Sequence, residues 1–347
     1  MSEQETDERQ ESEAFEQDRP RKRGVSARIA GAVMLVVIVL CVGYVTYVGR
    51  SFVRAWPQAV LDSISGKKAE EATAAEEAVK NDDANANVEP KDSLASYSWD
   101  ELRRIGDEIA HSGSAEAAHE IAATYHLANA EGAIDGSQTK EISLTNGKTI
   151  HAQLVGVYHD DASDGVRKAG LTFVTAEPLG THAVNGSGSN IGGWRDSELR
   201  TWLANDGMAL LPQDLTDVIK EVNKHTNNEG YSTSATCVTT TADKLWAPSW
   251  VELAGPIDRN YFSSGYEYCG DVQNAEGTQY EAFSLAGVAP SSASAQLARP
   301  QSASAAWWMR TAAPSRRDYF YYVTAEGNPS ERADAADAQG VIAGFCL

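Results

Sequence analysis

Hydrophobic and polar positions fall into three regimes along the chain. From Ile29 to Val48 the sequence reads IAGAVMLVVIVLCVGYVTYV, apolar on every face and free of charge. About 20 residues at about 1.5 Å each match a hydrocarbon core of roughly 30 Å. A helix of that length inside a soluble core would show a polar stripe, and this one has none. The pattern predicts a transmembrane helix over residues 29–48. The second regime, residues 49–92, is rich in Ala, Glu, Asp and Asn, as in AEEATAAEEAVKNDDANANVEPKD. It has too few large apolar side chains to bury a core and predicts a stalk.

The third regime shows clear periods. Ser98-Trp99-Asp100-Glu101 has the form of a capping box, followed by Leu102, Ile105 and Ile109 at helical spacing. Ser114 is placed to cap a second helix through Ile121, Tyr125 and Leu127, so residues 93–130 predict a helical hairpin. From residue 131 onward strands enter. Asn146-Gly147 separates Thr139–Thr145 from Lys148–Val155, which is the strongest short hairpin signal. Leu171–Val174 reads as a strand. Asp196 is placed to cap a helix carrying Leu199, Trp202 and Leu203, and Leu215, Val218, Ile219 and Val222 define another amphipathic helix. Ser249-Trp250-Val251-Glu252 is a second capping box. Trp307–Arg310, Tyr319–Thr324 and Val341–Leu347 read as strands, with a turn at Asn328-Pro329. Residues 131–347 thus predict one α+β domain with a mostly antiparallel sheet and flanking helices.

Charge orients this layout. Arg19, Arg21, Lys22, Arg23 and Arg28 precede the apolar run, against Arg50 and Arg54 just after it. The excess places residues 1–28, a polar and disordered tail, in the cytoplasm and the C-terminal domain outside the cell. A cleaved signal peptide would have a shorter apolar stretch and a small-x-small site, which SFVRAWPQA does not supply. The expected location is the cell membrane, with lipid contacted by residues 29–48. The formal net charge of −20 argues against a nucleic-acid partner.

Candidate chemistry is sparse. Beyond Cys41 in the apolar run there are Cys237, Cys269 and Cys346, an odd number with no C-x-x-C, so neither zinc nor a redox dithiol is signalled. His159, Asp160, Asp161 and Asp164 form an oxygen-rich cluster without the spacing of a calcium loop, and they also suit a plain turn. Asn185–Asn190 reads as a mobile loop bordering a site. Six of the eight tryptophans lie at or beyond Trp194. Adjacent Trp307 and Trp308 point to opposite faces of a strand, so Trp307 and Met309 fill the core while Trp308 and Arg310 share the other face. Trp308, Arg310, Tyr319 and Tyr321, with Trp194, form either a recognition surface of aromatic faces and a guanidinium fork, or a strand face covered by other elements.

Five segments taken together carry a resemblance. They are Gly192-Gly193-Trp194-x-x-Ser197-x-x-Arg200-x-Trp202-Leu203, Leu245-Trp246-x-Pro248-Ser249-x-x-Glu252-Leu253, Glu276-Gly277-x-Gln279-Tyr280, Trp307-Trp308-x-Arg310 and Gly340-Val341-x-x-Gly344-Phe345. In this order, from about residue 140 to the end, the chain resembles the bacterial domain of unknown function 6273, found in surface-exposed and membrane-anchored proteins. More remotely it resembles the C-type-lectin-like fold shared by formylglycine-generating oxidases. The calcium motifs of sugar-binding lectins and the cysteine pair of the oxidases are absent.

The expected function is a membrane-anchored, extracytoplasmic binding module for a surface or extracellular ligand, glycan or protein, with no catalytic residue, metal or cofactor assigned. The alternatives are a cell-envelope hydrolase or cysteine-dependent oxidase, and a structural subunit of a membrane complex.

Overall fold

Two serine-capped helices lead into the sheets. A computed structural model describes residues 88–257, 270–290 and 305–347. The expected tail, apolar run and most of the stalk lie outside the described residues, as does Cys269. Among the described residues no helix is long and apolar enough to cross a membrane. In α1 (Trp99–Ala110) the Ser98 hydroxyl accepts from the Glu101 backbone N–H, and Glu101 accepts in return from Ser98, at 3.1 and 2.7 Å. A hydrogen bond from Lys91 helps hold the Glu101 carboxyl down at about 2. Ser114 caps α2 (Ala115–Thr124). Leu102, Ile105 and Ile109 are buried, and Trp99 sets its edge against Phe173 and Phe345. Val88, within the segment expected as stalk, is buried in the core.

Eleven strands are described: β1 (Thr139–Ser143), β2 (Thr149–Val157), β3 (Leu171–Thr175), β4 (Gly180–His182), β5 (Val222–Asn227), β6 (Val238–Asp243), β7 (Trp307–Ala312), β8 (Tyr319–Val323), β9 (Glu331–Asp334), β10 (Gln339–Val341) and β11 (Gly344–Cys346). They form an antiparallel sheet β1-β2-β3-β11, a sheet β4-β10-β7-β8-β9 in which only the β10–β7 pair is parallel, and the hairpin β5-β6. The expected class, α+β with mainly antiparallel sheets and short flanking helices, is the observed one. Gly147, at φ 84°, makes the predicted β1–β2 turn.

Two departures have local causes. The helix expected over 215–222 is only one turn, and Val222 opens β5 instead. That strand buries Val222, Lys224 and Thr226 on alternate positions, a period of two hidden because two of the three are polar. The helix near residue 198 starts one residue later than expected. Ser197, not Asp196, accepts from Arg200 N–H at 3.1 Å and caps α3 (Glu198–Trp202), which continues through a π-helical turn, Leu203–Gly207.

The helical hairpin is welded to the sheets. A Cβ on Gly106 would lie 2.7 Å from the Leu347 carbonyl oxygen, and one on Gly170 would lie 1.9 Å from that of Gly106. Only glycine permits backbones this close. One core joins α1 and α2 to the first sheet, and a second joins Val155 and Val174 to Trp307, Met309 and Val323 of the other sheet. The second core also receives α4 (Trp250–Ala254) and Phe283.

Candidate functional site

The expected contact residues do not form one surface. Trp308 and Arg310 have no solvent-exposed area, and neither does Trp194. Trp308 donates from Nε1 to the His182 carbonyl at 2.9 Å and sets its ring edge-on to Tyr322. Trp194 donates from Nε1 to Asp243 at 3.1 Å, a carboxylate also bound by Arg200 at 2.6 Å. These three side chains are interior parts and touch no ligand on the outer surface. Tyr319 and Tyr321 are half-buried, and Tyr321 packs on the second core while Trp308 packs on the first. The sheet therefore lies between Trp308 and Tyr321.

Arg310 belongs to a buried ion network. Its guanidinium grips Glu252 with two bonds, at 2.5 and 2.8 Å, and donates further to Thr226, to the Ala247 carbonyl and to the Glu276 carbonyl. Lys224 donates to Asp160 at 2.6 Å and to the Tyr280 hydroxyl at 3.2 Å, forms an ion pair with Glu252 at 2.5 Å, and lies 4.4 Å from the Trp246 ring centre. Glu276 accepts from the Asn227 N–H at 3.0 Å and from the Thr311 hydroxyl, which itself accepts from Trp250 N–H. Burial alone would raise the Glu252 carboxyl, but Arg310 and Lys224 outweigh it and hold it at about 2. Burial wins at Glu276, pushed up to about 7 against the pull of Arg310.

This arrangement clamps β5, α4, β7 and the loop at Glu276 to one another. Each cation is engaged by partners inside the protein. The Cys346 thiol is fully buried, and its pKa is raised well above normal by burial and then by Asp160. A thiol in that state is a poor nucleophile.

A recess of about 250 Å³ opens in front of the network, with Asp160, Lys224, Glu252 and Glu276 at its floor. Through Asp161, Lys168, Asn223 and His225 it continues into an open cleft of about 650 Å³ bounded by His111, Tyr158 and Arg167. The walls are largely paired among themselves: Lys168 with Asp161 at 2.7 Å, and Arg167 with the His111 ring at 2.5 Å. The acidic cluster seen in the sequence is likewise engaged. Asp160 serves Lys224, Asp161 serves Lys168, and Asp164 accepts from Val166 N–H in its own turn.

A second place does expose aromatic and guanidinium groups together. The turn between β7 and β8 carries Arg316 and Arg317, both exposed. Arg316 lies 4.3 Å from the Tyr319 ring centre and makes a two-pronged pair with Asp318. Arg317 lies 3.9 Å from the ring centre of exposed Tyr231. The turn is stapled in place. Asn190 is buried, and its side-chain amide donates to the carbonyls of Arg316 and Tyr319 at 2.9 Å, while its backbone N–H donates to Arg317. Ser315 holds φ 63° and donates to the Tyr231 carbonyl at 2.8 Å. A Cβ on Gly230 would lie 1.9 Å from the Asn190 carbonyl oxygen, so these loops meet backbone to backbone.

The loop expected to be mobile, Asn185–Asn190, is thus fastened at both ends. Asn185 donates to the Ser189 carbonyl at 2.6 Å and accepts from Glu198 N–H at 3.0 Å. Of the residues gathered here, only Tyr319 and the loop were singled out from sequence. The signal missed was the Arg-Arg-Asp-Tyr string at a strand-to-strand turn, in a chain with a large acidic excess.

Residues 169–347 match the family model described as Domain of unknown function (DUF6273), beginning just before β3 and running through β11. No curated protein and no solved structure matches the chain.

Proposed function

The chain belongs to the DUF6273 family, and on that premise we propose that it is a membrane-anchored binding module. In this proposal residues 29–48 cross the cell membrane once, the N-terminus stays in the cytoplasm, and the folded domain outside recognises a surface or extracellular ligand, glycan or protein. The anchor is supported by the charge-free run from Ile29 to Val48 and its basic N-terminal flank. The C-type-lectin-like likeness is part of the same proposal and rests on the Trp307-Trp308-x-Arg310 strand, the hairpin after it and the closing Gly340-Val341-x-x-Gly344-Phe345 segment.

One observation carries the binding role: two guanidiniums stacked on two tyrosines on a single exposed turn that Asn190 holds rigid. Tyr and Arg dominate recognition energetics because they bring large planar area and directed donors at low entropic cost. Preorganisation adds to this, since the turn has little freedom to lose on binding. The recognition residues proposed are Tyr319, Tyr231, Arg316 and Arg317, rimmed by the Asn185–Asn190 loop.

The test has two arms. Protease added to intact cells should cleave within the C-terminal domain, and sparing it until lysis overturns the topology. The full chain in lipid nanodiscs, applied to glycan and protein arrays, should give hits that weaken when Tyr319→Ala is introduced. Hits indifferent to Tyr319→Ala, or none, overturn the site.

A further inference from the structure

We infer that the turn at Arg317 docks a protein segment carrying a carboxylate side chain beside an apolar one. The inference rests on the binding-module reading and names the partner of that same surface. Its first support is charge. Arg316 is already paired with Asp318, and nearby Arg195 is paired with Asp196 at 2.9 Å. Arg317 is different: it makes no ion pair with any described carboxylate, while its guanidinium carbon lies 3.9 Å from the Tyr231 ring centre. A guanidinium over an aromatic ring keeps its planar edge of N–H donors for other partners. That edge matches the two oxygens of a carboxylate, a fit that an ammonium cannot reproduce.

The second support is independent of charge. Ile191 follows Asn190 directly, and Asn190 donates its backbone N–H to the Arg317 carbonyl, so Ile191 borders the same turn. Ile191 is 54% exposed, and Tyr231 is 36% exposed. An isoleucine gives a saccharide nothing to hydrogen-bond, but it offers a protein side chain apolar area to cover. A peptide segment supplies both halves at once, a carboxylate for Arg317 and an apolar neighbour for Ile191 and Tyr231. This choice favours a protein over an acidic glycan as the occupant.

The experiment pans a phage-displayed library of random peptides on the full chain in nanodiscs, in parallel with an array of uronic-acid oligosaccharides. Enriched peptides should carry Asp or Glu next to a large apolar residue. Their affinity should fall at least about tenfold with Arg317→Ala, with Ile191→Asp, or when the peptide acid is changed to its amide. Arg317→Lys should restore only part of the loss. Both positions are exposed, and an unchanged thermal midpoint would confirm that the variants fold. Peptides without acids, or binding indifferent to Arg317→Ala, overturn the inference. Oligosaccharide hits that need Arg317, without peptide hits, overturn the protein partner but leave the binding module standing. A concentration-dependent dimer of the chain that Arg317→Ala abolishes supports the inference, a second copy then supplying the segment. No Arg317- or Tyr319-dependent binding in either arm overturns both readings.

Discussion

Glu276 offers the sharpest physical test, because its proton is coupled to folding. The carboxyl is buried and pushed from 4.5 up to about 7. A folded-state value above the unfolded one means that the fold holds the proton more tightly. The associated stability is therefore complete below about pH 4.5 and is lost as pH rises through about 7. At about 1.36 kcal/mol per pH unit the full effect is about 3 kcal/mol, of which about 2.5 falls between pH 5 and pH 8. Glu276→Gln keeps the shape and stays neutral throughout. The amide carbonyl accepts from Asn227 N–H as before, and the amide nitrogen donates to the Thr311 hydroxyl. Urea unfolding of both proteins, followed by tryptophan fluorescence, gives the difference in stability at each pH. That difference should move in favour of the glutamine variant by about 2.5 kcal/mol from pH 5 to pH 8. His119, which burial lowers but its backbone bond to Ala115 and Glu281 together raise above its ordinary value, is the same in both proteins, so its contribution cancels. A difference that changes by less than about 0.5 kcal/mol across this range would refute the argument.

Arg310→Ala leaves Glu252 in the interior with Lys224 as its only cation among the described residues, and urea unfolding should show a loss of about 3–5 kcal/mol. The exposed Arg317→Ala should change stability by no more than about 0.5 kcal/mol in the same measurement, separating two arginines that look alike in sequence. Gly106→Ala should lower stability by about 1–2 kcal/mol despite the better helix propensity of alanine, because its Cβ meets the Leu347 carbonyl at 2.7 Å.

The local signals in the sequence were reliable where one turn of chain decides the outcome. Both capping boxes, the Asn-Gly hairpin and the strand at Leu171 form as their side chains dictate. Errors arose where distant partners decide. β5 buries Lys224 and Thr226, which only makes sense once Asp160, Glu252 and Arg310 are present around them. Much of what the five motif segments of the family resemblance hold meets inside the protein. Glu252, Glu276, Tyr280 and Arg310 share the ion network, and Gly344 leaves room for the Trp246 ring, which a Cβ there would meet at 2.6 Å. The candidate surface was harder to see. It is assembled from residues near 190, 231 and 317, and its key fastener is the side-chain amide of one buried asparagine.

A shifted titration usually points toward chemistry, because active sites tune acids and bases to their task. Glu276 departs from that rule for a reason that can be stated in bonds. Acid–base catalysis needs a group that is both perturbed and within reach of a substrate proton. Both oxygens of Glu276 are held by Asn227 and Thr311, and only 1% of the residue is exposed. Its neighbours are engaged as well, Lys224 with Asp160 and Tyr280, and Arg310 with Glu252 and Thr226. A substrate entering the recess would have to break one of these contacts before using any of them, and each break leaves a buried charge unpaired. The same pairing that makes the network costly to disturb makes it a rigid base for the loops above it. The Asn227 backbone N–H donates to Glu276, and its side-chain amide fixes the carbonyls of Gly230 and Ser232 on either side of Tyr231. On the proposed binding role, the interior ions contribute through geometry, by fixing where the Tyr231 ring stands beside Arg317.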